Sequence, residues 1–201
     1  MKKTFLTVFA FCTLLTAALA QDITLPQPKK TGGMPLMEAL NKRQSTRTFS
    51  EAALSNQTVA NLLWAAWGYN RPEENKRTAP SGMNKQEIDL YVVFPTGAYL
   101  WDAKANKLIQ VTKADLRKSA SGGQTFAETA PVTIIFVADK NKSDGAMTAA
   151  YISQNIYLFC ASESLATVAR GGFNSDELSK ALNLKENQKT VLVQPVGRVK
   201  K

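Results

Sequence analysis

Arg43-Gln44-Ser45-Thr46-Arg47-Thr48-Phe49 sets two guanidinium groups and a hydroxyl at alternate positions, directly after a short helical run. In an extended segment, residues i, i+2 and i+4 point the same way, so Arg43, Ser45 and Arg47 are expected to converge. The planar donor fork of arginine suits phosphate oxygens, and the hydroxyl adds a further donor. The stretch is thus a candidate seat for a phosphorylated ligand. The alternative is a solvated basic face at a helix end, where cations are favoured in any case.

Working outward, Pro35 to Lys42 reads as a helix, with proline placed where a helix can start. Ser55 reads as an N-cap, and Val59, Leu62, Leu63, Ala66 and Trp67 then recur at helical spacing. Ile88 to Phe94 reads as a strand. Ala98 to Trp101 and Lys107 to Val111 read as a hairpin closed over Asp102 to Asn106. Pro131 to Ala138 is short and almost wholly apolar, as a buried strand should be. From Asp144 the pattern turns helical to about Ala169, with Ala149, Ile152, Ile156, Phe159, Cys160 and Leu165 on its buried face and Gly171-Gly172 ending it. Ser175 is expected to cap a short helix through Leu182, and Thr190 to Val196 to form a final strand. This order predicts one α+β domain over residues 35–201.

The chain opens with Lys2 and Lys3, an apolar run from Phe5 to Leu15, and Ala18-Leu19-Ala20. That pattern predicts a signal peptide over 1–20, cleaved before Gln21, and a protein exported to the periplasm or the medium without a stable membrane anchor. Gln21 to about Met34, rich in Pro, Lys and Gly, reads as a flexible lead-in. Loss of the leader leaves Cys160 as the sole cysteine, expected as a buried small hydrophobe. The formal charge of +9, or +7 without Lys2 and Lys3, is scattered rather than blocked, which argues against nucleic acid. The chain contains 0 histidines, which excludes Ser-His-Asp and Cys-His relays and the usual His-containing zinc sites. Redox or group-transfer chemistry must then come mostly from a bound cofactor.

Two further segments stand out. In Pro80-Ser81-Gly82-Met83-Asn84-Lys85-Gln86, Gly82 permits close backbone approach, and Asn84 offers a carbonyl and two N–H donors in one plane. Alone, it reads as a polar turn before a strand. Ala169-Arg170-Gly171-Gly172-Phe173 reads either as a helix C-cap or as backbone N–H groups open to a ligand.

Together, in this order, the three segments resemble the FMN-dependent nitroreductase family from about Pro35 to Arg198. Ala130-Pro131 before the apolar strand, Gln154-Asn155-Ile156-Tyr157-Leu158, and the closing Val193-x-Pro195-x-Gly197 also fit. The resemblance implies a central, mostly antiparallel sheet flanked by helices, in an interlocked homodimer with flavin in the subunit interface. Trp64, Trp67 and Tyr69 are candidates for that interface, with a place in the monomer core as the alternative. The resemblance also implies that Arg43, Gln44, Ser45 and Arg47 hold the FMN phosphate and ribityl chain. Pro80, Ser81, Gly82, Asn84 and Gln86 would meet the isoalloxazine, with Gly171 and Gly172 near its N5. Arg198, Lys200 or Lys201 would stand in for the C-terminal basic residue that many members place on the phosphate.

The activity implied is that of an oxidoreductase passing hydride through flavin N5 to a small-molecule electron acceptor. NAD(P)H is the donor such chemistry invites, but nicotinamide cofactors are largely cytoplasmic, which argues against it for an exported chain. The hairpin with Tyr99-Leu100-Trp101-Asp102 is similar to the thiazole/oxazole-forming dehydrogenase branch. Ser164-Leu165-Ala166 departs from the family's Gly-Leu-Gly. This departure motivates an alternative, an envelope flavin-binding or interaction protein without turnover. A third reading, an anion-binding module without flavin, would use Arg43 and Arg47 alone.

Overall fold

A computed structural model describes residues 21–200. The expected signal peptide lies outside the described residues, as does Lys201. In chain order the elements are β1 (Ile23–Thr24), α1 (Leu36–Lys42), α2 (Asn56–Trp67), β2 (Tyr69–Arg71), β3 (Lys76–Arg77), β4 (Ile88–Phe94), β5 (Gly97–Asp102), β6 (Lys107–Thr112), α3 (Arg117–Ser121), β7 (Val132–Asp139), α4 (Ala146–Ser162), β8 (Leu165–Thr167), α5 (Ser175–Ala181) and β9 (Gln188–Arg198). One sheet runs β1-β6-β5-β4-β7-β9-β8, with every pairing antiparallel, and β2 and β3 form a separate ribbon.

Strand periodicity builds two cores from one sheet. Val132, Ile134, Phe136 and Ala138 of β7, with Ile88, Leu90 and Val92 of β4, pack with Leu62 and Leu63 of α2 and Ile152 and Ile156 of α4. The intervening Ile135 and Val137, with Tyr91 and Val93, pack with Ala120 of α3 and Leu178 of α5. As expected, the Ser55 hydroxyl caps α2, accepting from Thr58 N at 3.1 Å. Trp67 is 2% exposed and donates from Nε1 to the Ile88 carbonyl at 2.9 Å, so it belongs to the monomer core rather than to an interface.

Four expectations need correction. The lead-in is docked rather than flexible: Ile23 and Thr24 pair with Leu108 and Lys107, Leu25 is buried, and Asp22 makes an ion pair with Lys107. The long helix stops at Ser162, because Ser164 turns left-handed at φ 55° and Leu165 starts β8. Gly171-Gly172 therefore follows a strand and does not cap the helix. The cap of α5 is Asn174, whose side chain accepts from Glu177 N at 3.1 Å, one residue before Ser175. Finally, β9 spans 11 residues, longer than the expected Thr190–Val196.

The Arg43–Phe49 segment is fastened to the β8–β9 side of the sheet. Thr46 N donates to the Thr167 carbonyl at 2.9 Å, Ser50 N to the Arg198 carbonyl at 2.9 Å, and Phe49 bridges Val199. Gly197 makes this possible. A Cβ there would stand 2.6 Å from Cδ of Pro131 and 3.4 Å from the Phe49 ring. Gly197→Ala is therefore expected to destabilise the protein by roughly 1–3 kcal/mol through overpacking. The measurement is a lowered urea midpoint at unchanged m-value; an unmoved midpoint would mean that Pro131 gives way freely.

Candidate active site

Arg43 and Ser45 meet on one side chain, Tyr157 of α4. The Arg43 guanidinium lies 5.3 Å from the Tyr157 ring centroid, within cation–π range. The Ser45 hydroxyl is 2.9 Å from the Tyr157 hydroxyl, which also accepts from Ala169 N at 2.9 Å. With Ala169 N–H donating to it, the phenol can give its own proton to Ser45. The Ser45 proton is then free for an anion. Arg43 and Gln44 line a cleft of ≈ 620 Å³ with Tyr157, Leu165 and Val199.

Arg47 does not join them there. It lines a smaller cleft of ≈ 360 Å³ with Ser50, Glu51, Thr129 and Lys200. Arg198 is exposed, and its carbonyl holds Ser50 N, so the C-terminal basic residues lie alongside the Arg43–Phe49 segment. Among the described residues, no carboxylate forms an ion pair with Arg43, Arg47, Arg198 or Lys200.

Past Ala169 the chain forms the Gly171-Gly172 turn, exposed at both residues. Arg170 pins it. Arg170 N donates to the Val193 carbonyl at 2.9 Å, and the guanidinium Nη2 donates to the Gly172 carbonyl at 2.9 Å. From the other side Gly122, at φ 53°, comes so close that a Cβ there would stand 2.7 Å from the Gly172 oxygen.

The Pro80–Gln86 loop stands apart, with Pro80, Ser81 and Asn84 lining a separate cleft of ≈ 380 Å³ with Asn70 and Arg71. Met83, Asn84 and Gln86 all sit at positive φ (50°, 54° and 48°), a costly conformation for non-glycine residues that needs external support. Arg77 supplies it. Its Nε donates to the Gln86 side-chain oxygen at 2.7 Å, Nη1 donates to the Trp67 carbonyl at 2.7 Å, and its guanidinium lies 4.1 Å from the Tyr69 ring centroid. Gln86 in turn donates to Asn84 Oδ1 at 3.1 Å, and Asn84 Nδ2 donates to the Asn75 carbonyl at 3.1 Å. The side-chain oxygen of Gln86 is thus taken by Arg77 and its nitrogen by Asn84 and the Asn75 carbonyl, so Gln86 holds the loop in shape. Asn84 keeps one N–H of the expected planar set.

Tyr157, Arg170 and Arg77 were not singled out from the sequence. Arg170 and Tyr157 lie within quoted segments, and Tyr157 also shows in the pattern: it follows Ile156 and lies one position off the buried stripe of Ile152, Ile156 and Cys160, as a half-buried residue should. Cys160 is fully enclosed, and burial pushes its thiol pKa up, so it is no nucleophile. Among the described residues, no cluster of His, Cys, Asp or Glu could hold a metal ion, and no helix is long and apolar enough to cross a membrane.

The sequence model of the Nitroreductase family matches residues 40–198. The chain is 38% identical to a nitroreductase-like protein from Ralstonia eutropha JMP134 of known crystal structure, with a TM-score of 0.84 and 90% of each chain covered. It is 25% identical to a nitroreductase-like protein of Methanocaldococcus jannaschii over 196 residues, 88% of this chain and 96% of that one. The fold alone is shared with an NADH-oxidase-like protein from Clostridium acetobutylicum, at 24% identity and a TM-score of 0.59 over 81% of this chain and 88% of that one. The chain belongs to the Nitroreductase family, a family of oxidoreductases.

Proposed function

We propose that this chain is an exported, FMN-dependent oxidoreductase working as a homodimer on a small-molecule electron acceptor. The observation that carries the reading is the Tyr157 hydroxyl, which ties Ser45 of the basic segment to Ala169 at the root of the Gly171-Gly172 turn. One wall thereby carries cations and an unspent hydroxyl at one end and open glycine backbone at the other. The donor set fits a phosphorylated flavin: Arg43 and Arg47 have no carboxylate partner among the described residues, and a Cβ added at Gly171 would meet nothing within 4 Å.

Bound FMN would supply the hydride chemistry at its N5, in two half-reactions with separate donor and acceptor. The protein's own residues bind and orient. Arg43 neutralises phosphate charge in the cleft it shares with Gln44 and Tyr157, and Arg47 adds positive charge from the neighbouring cleft, each charge-assisted bond that forms contributing roughly 1.5–3 kcal/mol. Tyr157 aims the Ser45 hydroxyl, and the Gly171-Gly172 turn leaves room for a planar ring to approach the backbone. No side chain is asked to move a proton, consistent with a chain of 0 histidines. The exported location rests on the sequence of residues 1–20 and makes a donor other than cytoplasmic NAD(P)H the expectation.

The homodimer reading rests on apolar surface. Leu36, Met37 and Leu40 of α1 and Met147 and Tyr151 of α4 are exposed, and α1 packs on α4. Exposed apolar side chains gathered on two neighbouring helices are characteristic of a surface covered by another chain. The Arg43 segment does not meet the Pro80–Gln86 loop of its own chain, so a site built from both draws the loop from a second copy.

Purified Gln21–Lys201 is expected to take up FMN with a flavin absorption band that bleaches on anaerobic reduction. Arg43→Ala with Arg47→Ala should weaken FMN binding at least about 100-fold, and Tyr157→Phe about tenfold, both read by quenching of flavin fluorescence. Undiminished affinity in the double variant would place the phosphate elsewhere. Light scattering on a sizing column should give twice the chain mass, and Met147→Glu with Tyr151→Glu should return the monomer. A wild-type monomer would rule out the shared site.

A further inference from the structure

The Arg170 guanidinium is buried, at 7% exposure, yet every bond it makes goes to a neutral acceptor. Nη1 donates to the Ala120 carbonyl at 2.9 Å, Nη2 to the carbonyls of Ser121 and Gly172, and Nε to the side-chain oxygen of Gln124 at 3.0 Å. The Phe126 ring centroid lies 5.6 Å away. The carboxylate in the same network, Glu128, accepts instead from the Ser121 hydroxyl at 2.9 Å, and among the described residues no carboxylate forms an ion pair with Arg170. Burial lowers its pKa, but a guanidinium stays protonated at physiological pH. Neutral dipoles solvate a buried cation without cancelling its charge, and in a poorly polarisable interior that charge is felt at its neighbours. The neighbour here is the exposed Gly171-Gly172 turn.

We infer that Arg170 is a positioning residue of the flavin site: it fixes the Gly171-Gly172 turn and sets behind it an uncompensated positive charge that favours reduced, anionic flavin over oxidised, neutral flavin. The inference rests on the flavin reading above. Two electrons and one proton, taken from an external reductant, convert the neutral isoalloxazine to a ring bearing one negative charge. A fixed cation lowers the free energy of that product and acts little on the neutral reactant.

The test is a spectroelectrochemical titration of the FMN-loaded protein with dithionite as reductant. Gln124→Glu sets a carboxylate against Arg170 Nε from an exposed position. It should cut the preference for reduced flavin about threefold, which lowers a two-electron midpoint potential by about 14 mV. Arg170→Met should cut it about tenfold, or about 30 mV. Arg170→Lys keeps the charge but cannot span three carbonyls; it should hold a potential close to wild type while binding FMN more weakly. If Arg170→Met does not fold, by circular dichroism, Gln124→Glu carries the test alone. Bound FMN with the same potential in wild type and Gln124→Glu overturns the role of Arg170 only. Wild-type protein that takes up no FMN overturns the flavin reading and this inference with it.

Discussion

The rest of the molecule depends on β7 having no solvent face. From Val132 to Ala138 every residue is buried, and alternate side chains enter two different cores. Such a strand can form only once α2 and α4 cover one side and α3 and α5 the other, so sheet and helices stand or fall together. Its other neighbour, β9, carries that rigidity outward. At its end Gly197 lets Pro131 and Phe49 close in, and Phe49 joins Ala130, Ala166 and Val168 in a small cluster of its own. The basic segment is thereby held on the sheet by packing and backbone bonds, which leaves Arg43 and Arg47 without a structural ion pair to keep.

Two kinds of cation follow from this arrangement. Those on the Arg43–Phe49 segment are partly or largely exposed and unpaired, suited to meeting an anion that arrives from solvent. Arg170 is buried and Arg77 half-buried; both spend their donors on the protein, and each stiffens a turn that the ligand is proposed to touch. Arg77 supports residues at positive φ through Gln86. Arg170 ties the glycine pair to the end of α3. Replacing a buried arginine removes several bonds and a desolvated charge together, so its effect is not a sum of single contacts.

Much of the fold was legible because its strongest signals are local. The Ser55 cap and the period of Val59 to Trp67 define α2, and the apolar run after Pro131 defines β7. What escaped depends on partners distant in sequence. Two residues suffice for β1 only because β6 receives them, and nothing in Ile23-Thr24 announces it. The end of α4 was hidden because Ser162-Glu163-Ser164 carries neither glycine nor proline, while Leu165 and Ala166 continue the apolar pattern into β8. Ser164 turns left-handed at φ 55°, a conformation glycine adopts more easily than serine. In the site, the alternation of Arg43, Ser45 and Arg47 was readable. Their division between two clefts was not, because it depends on where Tyr157 and Lys200 come to lie.

The pairing of Phe49 with Val199, and of Thr48 with Lys200, sets a timetable for synthesis. A chain emerging from the ribosome presents its basic segment long before the strand that receives it. No nascent intermediate short of β9 can complete that wall, so Thr48 and Phe49 stay unpaired until β9 follows them. The order of the sequence itself thus makes this wall a late step of folding, because its pairing closes a very long loop.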